Sequence, residues 1–513
     1  MPKKIKNWMD KPLPARTLFV FISLIVVAYL VESLVCKIYD SDMYFLIATG
    51  REILENGIPD TNVWHIDNQQ GFIAQQWLYT IIIALADKIG HIGFTVLVSV
   101  QFIALMFSLN HFFNLRNVSK IVKFVSLCAI VFYSQLYLFC LRPELITMIL
   151  LVIECIALEH YGKSGKWQWL ILLPVTMLAE INLHGSMWPV HYAILLAYLV
   201  PSFYLPGADD KSIWRKWKPI ALFTAIMTGV MFINPYGLDG ILYIVTSFTA
   251  KTFSYVDINE VGEPAFISAC GLTIMLGIIL IFINHKFKHL DSVSLNISLG
   301  FIALAIISNR NNVFAIFIFM FLFRNLAVYL SSIDLQSISK KATNSTLLIL
   351  LIGVIFFVGS SFGSILSVFV SDDTNDLDDI YDYISESYSE DTRIFTGFNC
   401  GAYFEWKGFR NLYMDARPEL YTDEFTGDKD ILRDYSRYCI YGFDAVAGEY
   451  DSDGLVTKSE MDEWFYSYDF DYVVVSPYSE QYLSAYMMLN DDYDCVEECT
   501  TPMYLLYVKK EVN

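Results

Sequence analysis

Two acids two positions apart, Asp40 and Asp42, open the stretch 39–77 that joins the first long apolar run of the chain to the second. Ionisable groups at the edge of a membrane are costly unless they serve something. A carboxylate there can take a proton from a hydroxyl or help to hold a cation. Side chains at i and i+2 do not share a helix face, so one acid can point into a cavity while the other caps a helix or meets water. Asp42 is the stronger candidate for chemistry. Asp40 or Ser41 would equally serve as the N-cap of a helix over 43–56. That helix carries Ile47, Gly50, Arg51 and Leu54 at three- to four-residue spacing, with Glu52 and Glu55 off the apolar stripe, as expected of a helix lying at an interface.

Other polar groups stand at the ends of apolar runs. Gln75 and Gln76 open the next run beside Trp77, where amides suit sugar hydroxyls and the indole suits an interfacial anchor. Arg142-Pro143-Glu144 begins another, with proline in a first helical turn; Arg142 either pairs with Glu144 or meets a phosphate, for which its planar fork is suited. Asn182-Leu183-His184-Gly185-Ser186 lies between two runs, and a lone histidine such as His184 can be a structural group or a ligand. Tyr236 sits in Asn234-Pro235-Tyr236-Gly237, first of all a helix-ending turn. Glu260 and Glu263 follow as outlying acids. Arg310, flanked by Asn309, Asn311 and Asn312, suits an anion such as a phosphate or diphosphate. Further on, Asp415-Ala416-Arg417-Pro418-Glu419-Leu420-Tyr421 suits an ordered contact with the membrane part better than direct catalysis.

The elements that must position these groups are membrane helices. The chain has 513 residues, 55% of them hydrophobic and 17% charged, with a mean hydropathy of +0.44. Nearly charge-free runs recur up to residue 370, the pattern of spanning helices. The expected spans are 17–38, 73–88, 92–113, 121–140, 143–160, 168–184, 187–205, 218–234, 264–284, 291–308, 311–330 and 345–370. The first follows a Lys-rich start without a small-residue cleavage site and reads as an anchor. Basic residues crowd the connectors 161–167, 206–217, 285–290 and 331–344, which the positive-inside rule places in the cytoplasm. Asp42, Arg142, His184, Tyr236 and Arg310 then share the outer face. One conflict remains. The basic N-terminus and the basic connector 114–123 both belong inside, yet two crossings between 39–72 and that connector break the parity unless 73–88 stays on one side, the 121–140 region turns back, or the rule fails at one connector.

From residue 371 onward there are 33 acidic and 10 basic residues, which marks 371–513 as a separate acidic extracytoplasmic domain and excludes nucleic acid as a partner. Its pattern is α/β: a helix over 376–388, strands over 392–398, 402–407, 471–475 and 503–508. Four of the nine cysteines (Cys400, Cys439, Cys495, Cys499) lie there; disulfides are permitted, with no readable pairing. The fold class is therefore a polytopic α-helical membrane protein of about 11–13 spans over 1–370, its first outer loop at 39–74, with a C-terminal α/β domain.

In this order, the motifs resemble the GT-C superfamily of integral-membrane glycosyltransferases that use polyprenyl-phosphate-linked sugars, a group including the protein mannosyltransferases and aminoarabinose transferases. The pattern DxDxYxxxxxGRxIxxxGxIPxxxxW is followed by QWL, RPE, NLHGS, NPYG, an outer arginine and DARPELY, and spans nearly the whole chain. The resemblance implies Asp42 as catalytic base or metal-associated acid, with Asp40 beside it, and Arg142 and Arg310 as donor-phosphate ligands. Gln76, Glu144, Asn182, His184, Tyr236 and Glu260 are the expected substrate contacts. Metal use is unspecified, with Mg or Mn as possible ions. Gln75-Gln76-Trp77 replaces a Lys-Pro-Pro motif of the aminoarabinose and mannosyl branches, which leaves the sugar and the acceptor (glycan, lipid or protein) open. The expected activity is sugar transfer from a polyprenyl-phosphate donor among membrane lipids at the outer face of the cell membrane. The alternatives are a transporter or flippase, or a polymerase or ligase of lipid-linked glycans.

Overall fold

The structure, a computed structural model, describes residues 42–66, 71–138, 140–200, 217–249, 269–307, 309–331, 376–426, 429–446 and 449–510, with isolated positions between 20 and 32. The acid-bearing stretch folds as α1 (Asp42–Asn56), and the next apolar run as α2 (Trp77–Asp87). Gly50 lets the two touch: a Cβ there would lie 1.9 Å from the Thr80 carbonyl oxygen and 2.8 Å from Ala84 Cβ.

α2 is too short for the crossing expected over 73–88. Its 11 residues rise about 16 Å at 1.5 Å each, against a bilayer core of about 30 Å. Its two ends also meet the same side of the molecule. Trp77 and Ile81, near the first end, pack on a core shared with the C-terminal region. Asp87, at the other end, pairs with Arg51, whose guanidinium also donates to the Trp406 carbonyl of that region at 2.7 Å. α2 therefore lies along one face of the bundle.

The bundle continues through α3 (His91–Asn114), α4 (Lys120–Leu138), α5 (Glu144–Ser164), α6 (Leu172–Leu183), α7 (Trp188–Leu199), α8 (Trp217–Val230), α9 (Gly237–Thr249), α10 (Ala269–Lys286), α11 (Ser292–Ile307) and α12 (Ala315–Ser331). Among the described residues, α3, α5 and the stretch Asn311–Ser331 are each long and apolar enough to cross a membrane. α3 buries Phe94, Val98, Leu105 and Leu109 while exposing Val96, Val100, Ile103 and Phe107. A helix apolar on its outer face too is one that faces lipid. α5 packs on α3, α6 and α7, and α12 on α4, α10 and α11. At the end of the bundle away from Arg142, the buried Arg324 and the half-buried Arg116 bind Glu159 at 2.7 and 3.5 Å, and Arg116 binds Asp291 at 3.1 Å. Such a cluster is worth little if exchanged whole for apolar groups but is costly to break singly. α9 was not among the expected spans; its 13 residues are too few for a spanning window. The expected 345–370 span lies outside the described residues.

The C-terminal region holds a four-stranded sheet in the order β1 (Ile394–Phe395), β4 (Tyr472–Val475), β6 (Leu505–Lys509), β5 (Tyr493–Cys495), with β1 parallel to β4 and the other pairs antiparallel. A separate hairpin pairs β2 (Phe443–Val446) with β3 (Glu449–Leu455). All four residues of β4 are buried, as in a strand covered on both faces. Helices α13 (Asp378–Ser385), α14 (Gly401–Lys407), α15 (Lys458–Tyr468) and α16 (Gln481–Met487), with shorter helical turns between Pro418 and Tyr441, also belong to the region, α15 behind a Thr457–Glu460 capping box. The expected strand over 402–407 is α14 instead. Ala402 to Glu405 are buried without alternation, and Gly408 at φ 97° supplies the left-handed helix stop. A Cβ on Gly401 would lie 1.9 Å from the Met414 carbonyl oxygen, so glycine is needed where this helix starts.

The first loop and the C-terminal region are joined. Leu412 bridges Ile394 on one side and His65 on the other, with Leu412 N–H donating to Trp64 O at 2.8 Å and Ile66 N–H to Leu412 O at 3.0 Å. The loop thus extends the sheet edge. Ala48, Ile53, Trp64, Phe72 and Ala74 share one core with Phe395, Tyr413, Met414, Leu420 and Tyr421. Glu52, expected off the buried stripe, is buried and accepts from Arg410 at 2.7 Å. All eight described cysteines are free thiols.

Candidate functional site

Asp42 occupies the first turn of α1, and Arg142 immediately precedes Pro143, the N-cap of α5. The structure brings them together across a hundred residues of sequence: Arg142 Nη2 lies 3.3 Å from Asp42 Oδ2, with 18% and 24% of their side chains exposed. Asp42 is thus an acid that meets Arg142. The Arg142 carbonyl accepts from the Tyr79 hydroxyl at 3.1 Å, which fixes α2 against the start of α5. A guanidinium so placed holds the carboxylate until a stronger anion, such as a phosphate, competes for it.

At the starts of α2 and α5 stand acceptors without donors. Glu144 Oε2, Gln75 Oε1 and Gln76 Oε1 are buried with no hydrogen-bond partner among the described residues. Unsatisfied buried acceptors are rare and costly, and ligand hydroxyls are donors of the right kind. Asn182 is fully engaged: Oδ1 accepts from Trp77 Nε1 at 2.9 Å, and Nδ2 donates to the Leu178 and Ile233 carbonyls at 2.8 and 2.9 Å. It ties α2, α6 and the end of α8 together. Tyr236 pins the loop in the same way, donating to Pro59 O at 2.9 Å and accepting from Ala74 N–H at 3.1 Å. His184 is buried, 2.8 Å by Nδ1 from Thr147 Oγ1, and the next N–H, that of Gly185, donates to Gln75 O at 2.9 Å. Asp40 and Glu260 lie outside the described residues. Arg310 falls in the 3-10 turn Asn309–Phe314 ahead of α12, and its side chain lies outside them too.

Arg417 is a further contact between the C-terminal region and the loop. Its guanidinium donates to Asp415 Oδ1 and Oδ2 at 2.9 and 2.6 Å and to Glu405 Oε1 at 2.7 Å, and Tyr421 donates to Asp415 Oδ2 at 2.6 Å. The same guanidinium stacks on Phe45, Trp64 and Phe72 of the loop at 5.1, 5.4 and 5.2 Å. Phe45 is one turn from Asp42. Burial pushes the Glu405 carboxyl well above the usual range, against the pull of Arg417. Burial would raise Asp415 too, but the Arg417 charge and the hydrogen bonds of Arg417, Glu405 and Tyr421 outweigh it and hold Asp415 at about 2. The cluster thus stays balanced as one cation, one carboxylate and one neutral acid.

Among the described residues no three His, Cys, Asp or Glu side chains gather as a metal site. Between α7, α8 and α9 an open apolar groove of about 300 Å³ is lined by Trp188, Tyr192, Thr228, Met231, Phe232 and Ile241. Reading only the ends of the apolar runs missed Glu154, Glu180 and His191, buried acids and imidazole within the runs, although charge inside an apolar run is itself a signal.

No protein-family model and no curated protein matches the chain. Among solved structures the chain is similar to ArnT from Cupriavidus metallidurans in the apo state, with a TM-score of 0.55 and 11% identity over 96% of this chain and 97% of that one. It is also similar to ArnT from the same organism bound to undecaprenyl phosphate, with a TM-score of 0.51 and 12% identity over the same shares. At such identities the likeness is one of fold: a helical membrane protein carrying a small C-terminal α/β unit.

Proposed function

We propose that this chain is a GT-C glycosyltransferase that moves a sugar from a polyprenyl-phosphate donor to an acceptor at the outer membrane face. The observation that carries this is the Asp42–Arg142 pair, an acid and a phosphate-type cation at the foot of the first loop, in a fold shared with a protein crystallised with undecaprenyl phosphate. The donor phosphate draws Arg142 away from Asp42, with Arg310 as its second cation. The released carboxylate takes the acceptor's hydroxyl proton as the acceptor oxygen attacks the anomeric carbon. The bond from that carbon to the phosphate oxygen breaks, and the arginines stabilise the departing charge. A single displacement inverts the configuration. Gln76 and Glu144 receive sugar hydroxyls, Asn182, His184 and Tyr236 hold the loop around them, and the groove by Trp188 and Ile241 takes apolar chain.

The same reading makes the protein multi-pass, with the C-terminal region outside. With α2 lying flat, the basic N-terminus and the basic connectors 114–123, 161–167, 206–217, 285–290 and 331–344 all fall on the cytoplasmic side. The test is a structure of the full chain with undecaprenyl phosphate. Its phosphate should lie within hydrogen-bond reach of Arg142; a lipid phosphate seated away from the first loop would contradict the proposal.

A further inference from the structure

Two buried acids, two buried imidazoles and a threonine form one unbroken hydrogen-bonded row. His184 Nδ1 lies 2.8 Å from Thr147 Oγ1, whose hydroxyl donates to Glu180 Oε1 at 2.6 Å. The other oxygen of that carboxyl, Oε2, lies 3.4 Å from His191 Nε2, and His191 Nδ1 lies 2.5 Å from Glu154 Oε2. None of the five side chains is more than 1% exposed. The row comes from three helices, α5 (Thr147, Glu154), α6 (Glu180) with the turn after it (His184), and α7 (His191).

Its two ends differ. His184 adjoins Gly185, which is bonded to Gln75 at the entrance of α2, so this end sits at the foot of the first loop. Glu154 lies ten residues into α5, about 15 Å along its axis, the depth of the middle of a bilayer core about 30 Å thick. There the row stops on Glu154 Oε1, buried and without a hydrogen-bond partner among the described residues. A network that only clamped helices would saturate its members. This one ends on an open oxygen, and it uses the two oxygens of Glu180 on two different neighbours, as a conductor must.

Charge points the same way. Two carboxylates around a neutral imidazole carry two negative charges in an interior that strongly disfavours any. With His184 neutral, even an imidazolium at His191 leaves one in excess, so the uncharged state then has at least one carboxyl protonated.

We propose that His184, Thr147, Glu180, His191 and Glu154 form an intramembrane proton relay, exchanging with the outer-face site at His184 and storing a proton at Glu154. A proton arriving at His184 Nε2 releases the one on Nδ1 to Thr147 Oγ1, and the threonine passes its own to Glu180 Oε1. Glu180 gives up a proton from Oε2 to His191 Nε2, and His191 releases the one on Nδ1 to Glu154 Oε2. Each member gives one proton as it takes one, and no other bond changes. What supplies the proton, the acceptor hydroxyl by way of Asp42, rests on the transfer reaction proposed above; the relay itself does not.

Infrared spectroscopy of the full chain in lipid nanodiscs at neutral pH, moved from H2O to D2O without donor or acceptor, tests it. The expected spectrum has a protonated-carboxyl band that shifts in D2O and is diminished in Glu154→Gln or Glu180→Gln; Glu405→Gln removes a separate part. Thr147→Val leaves His184 Nδ1 4.0 Å from Glu180 Oε1, beyond hydrogen-bond reach, and should slow the shift of the Glu154 component roughly tenfold, the scale of one lost hydrogen bond. Three results would each overturn the relay: no D2O-sensitive carboxyl band in the parent beyond that of Glu405, a band unmoved in both glutamate variants, or an undiminished rate in Thr147→Val. No substrate is present, so failure here leaves the transferase proposal standing, and an inactive transferase leaves the relay standing.

Discussion

Arg417→Met should unseat the first loop from the C-terminal region. Methionine keeps most of the volume but leaves Asp415 and Glu405 buried side by side with no cation between them. Breaking a buried pair from one side costs about 3–5 kcal/mol. The parts agree with that figure. Holding Asp415 at about 2 rather than 3.8 is worth roughly 2 kcal/mol at neutral pH, at 1.36 kcal/mol per tenfold. Stacking on Phe45, Trp64 and Phe72 adds about 0.5–1 kcal/mol per ring. For a unit of this size the loss lowers Tm by roughly 10–15 °C. Thermal unfolding in detergent measures it, and limited proteolysis between residues 56 and 74 reports loop release. The Asp415 contribution is complete above its unfolded value of 3.8 and is lost as pH falls through about 2, so the gap between parent and variant should close in that window. A loss under about 1 kcal/mol, the scale of an exposed ion pair, or a loop still protected from protease, would refute the reasoning.

Gly50→Ala puts a methyl group 1.9 Å from the Thr80 carbonyl oxygen; calorimetry should show a loss of about 1–3 kcal/mol from overpacking, with α1 displaced and transfer reduced. Glu405→Gln should be tolerated. With its folded value raised by burial, Glu405 contributes fully below its ordinary 4.5 and progressively less as pH rises, so the amide variant should gain on the parent between pH 5 and pH 8, and a large loss at pH 8 would show that Glu405 works as an ion. Arg142→Gln removes a partly exposed pair, so stability should change by at most about 1 kcal/mol while kcat falls roughly 10²–10³-fold; an equal loss of stability and activity would mark Arg142 as structural.

Composition and hydropathy made the membrane bundle and the acidic α/β tail legible, because long charge-free runs and the run Tyr472 to Val475 admit few other states. Hydropathy counts apolar residues and is blind to where a helix is tied, as α2 is by Asn182 at one end and Arg51 at the other. It missed α9, too short to register, and the aromatic content of α14 imitated a strand whose stop signal, Gly408, belongs to a helix. Asp42 and Arg142 stood out singly as a carboxylate and a guanidinium at run ends. Their pairing depends on α1 docking between α2 and α14, which is tertiary information. The row from His184 to Glu154 escaped for a different reason: its acids sit inside runs that periodicity marks only as apolar.

The most direct measurement of the central claim is release of polyprenyl phosphate from a set of undecaprenyl-phosphate sugars by the purified chain in proteoliposomes, compared with Asp42→Asn. The account predicts cleavage of at least one donor by the parent, and none by an Asp42→Asn protein that still folds and still binds undecaprenyl phosphate. Undiminished cleavage by Asp42→Asn, or lipid moved across the bilayer with its sugar intact, would contradict it.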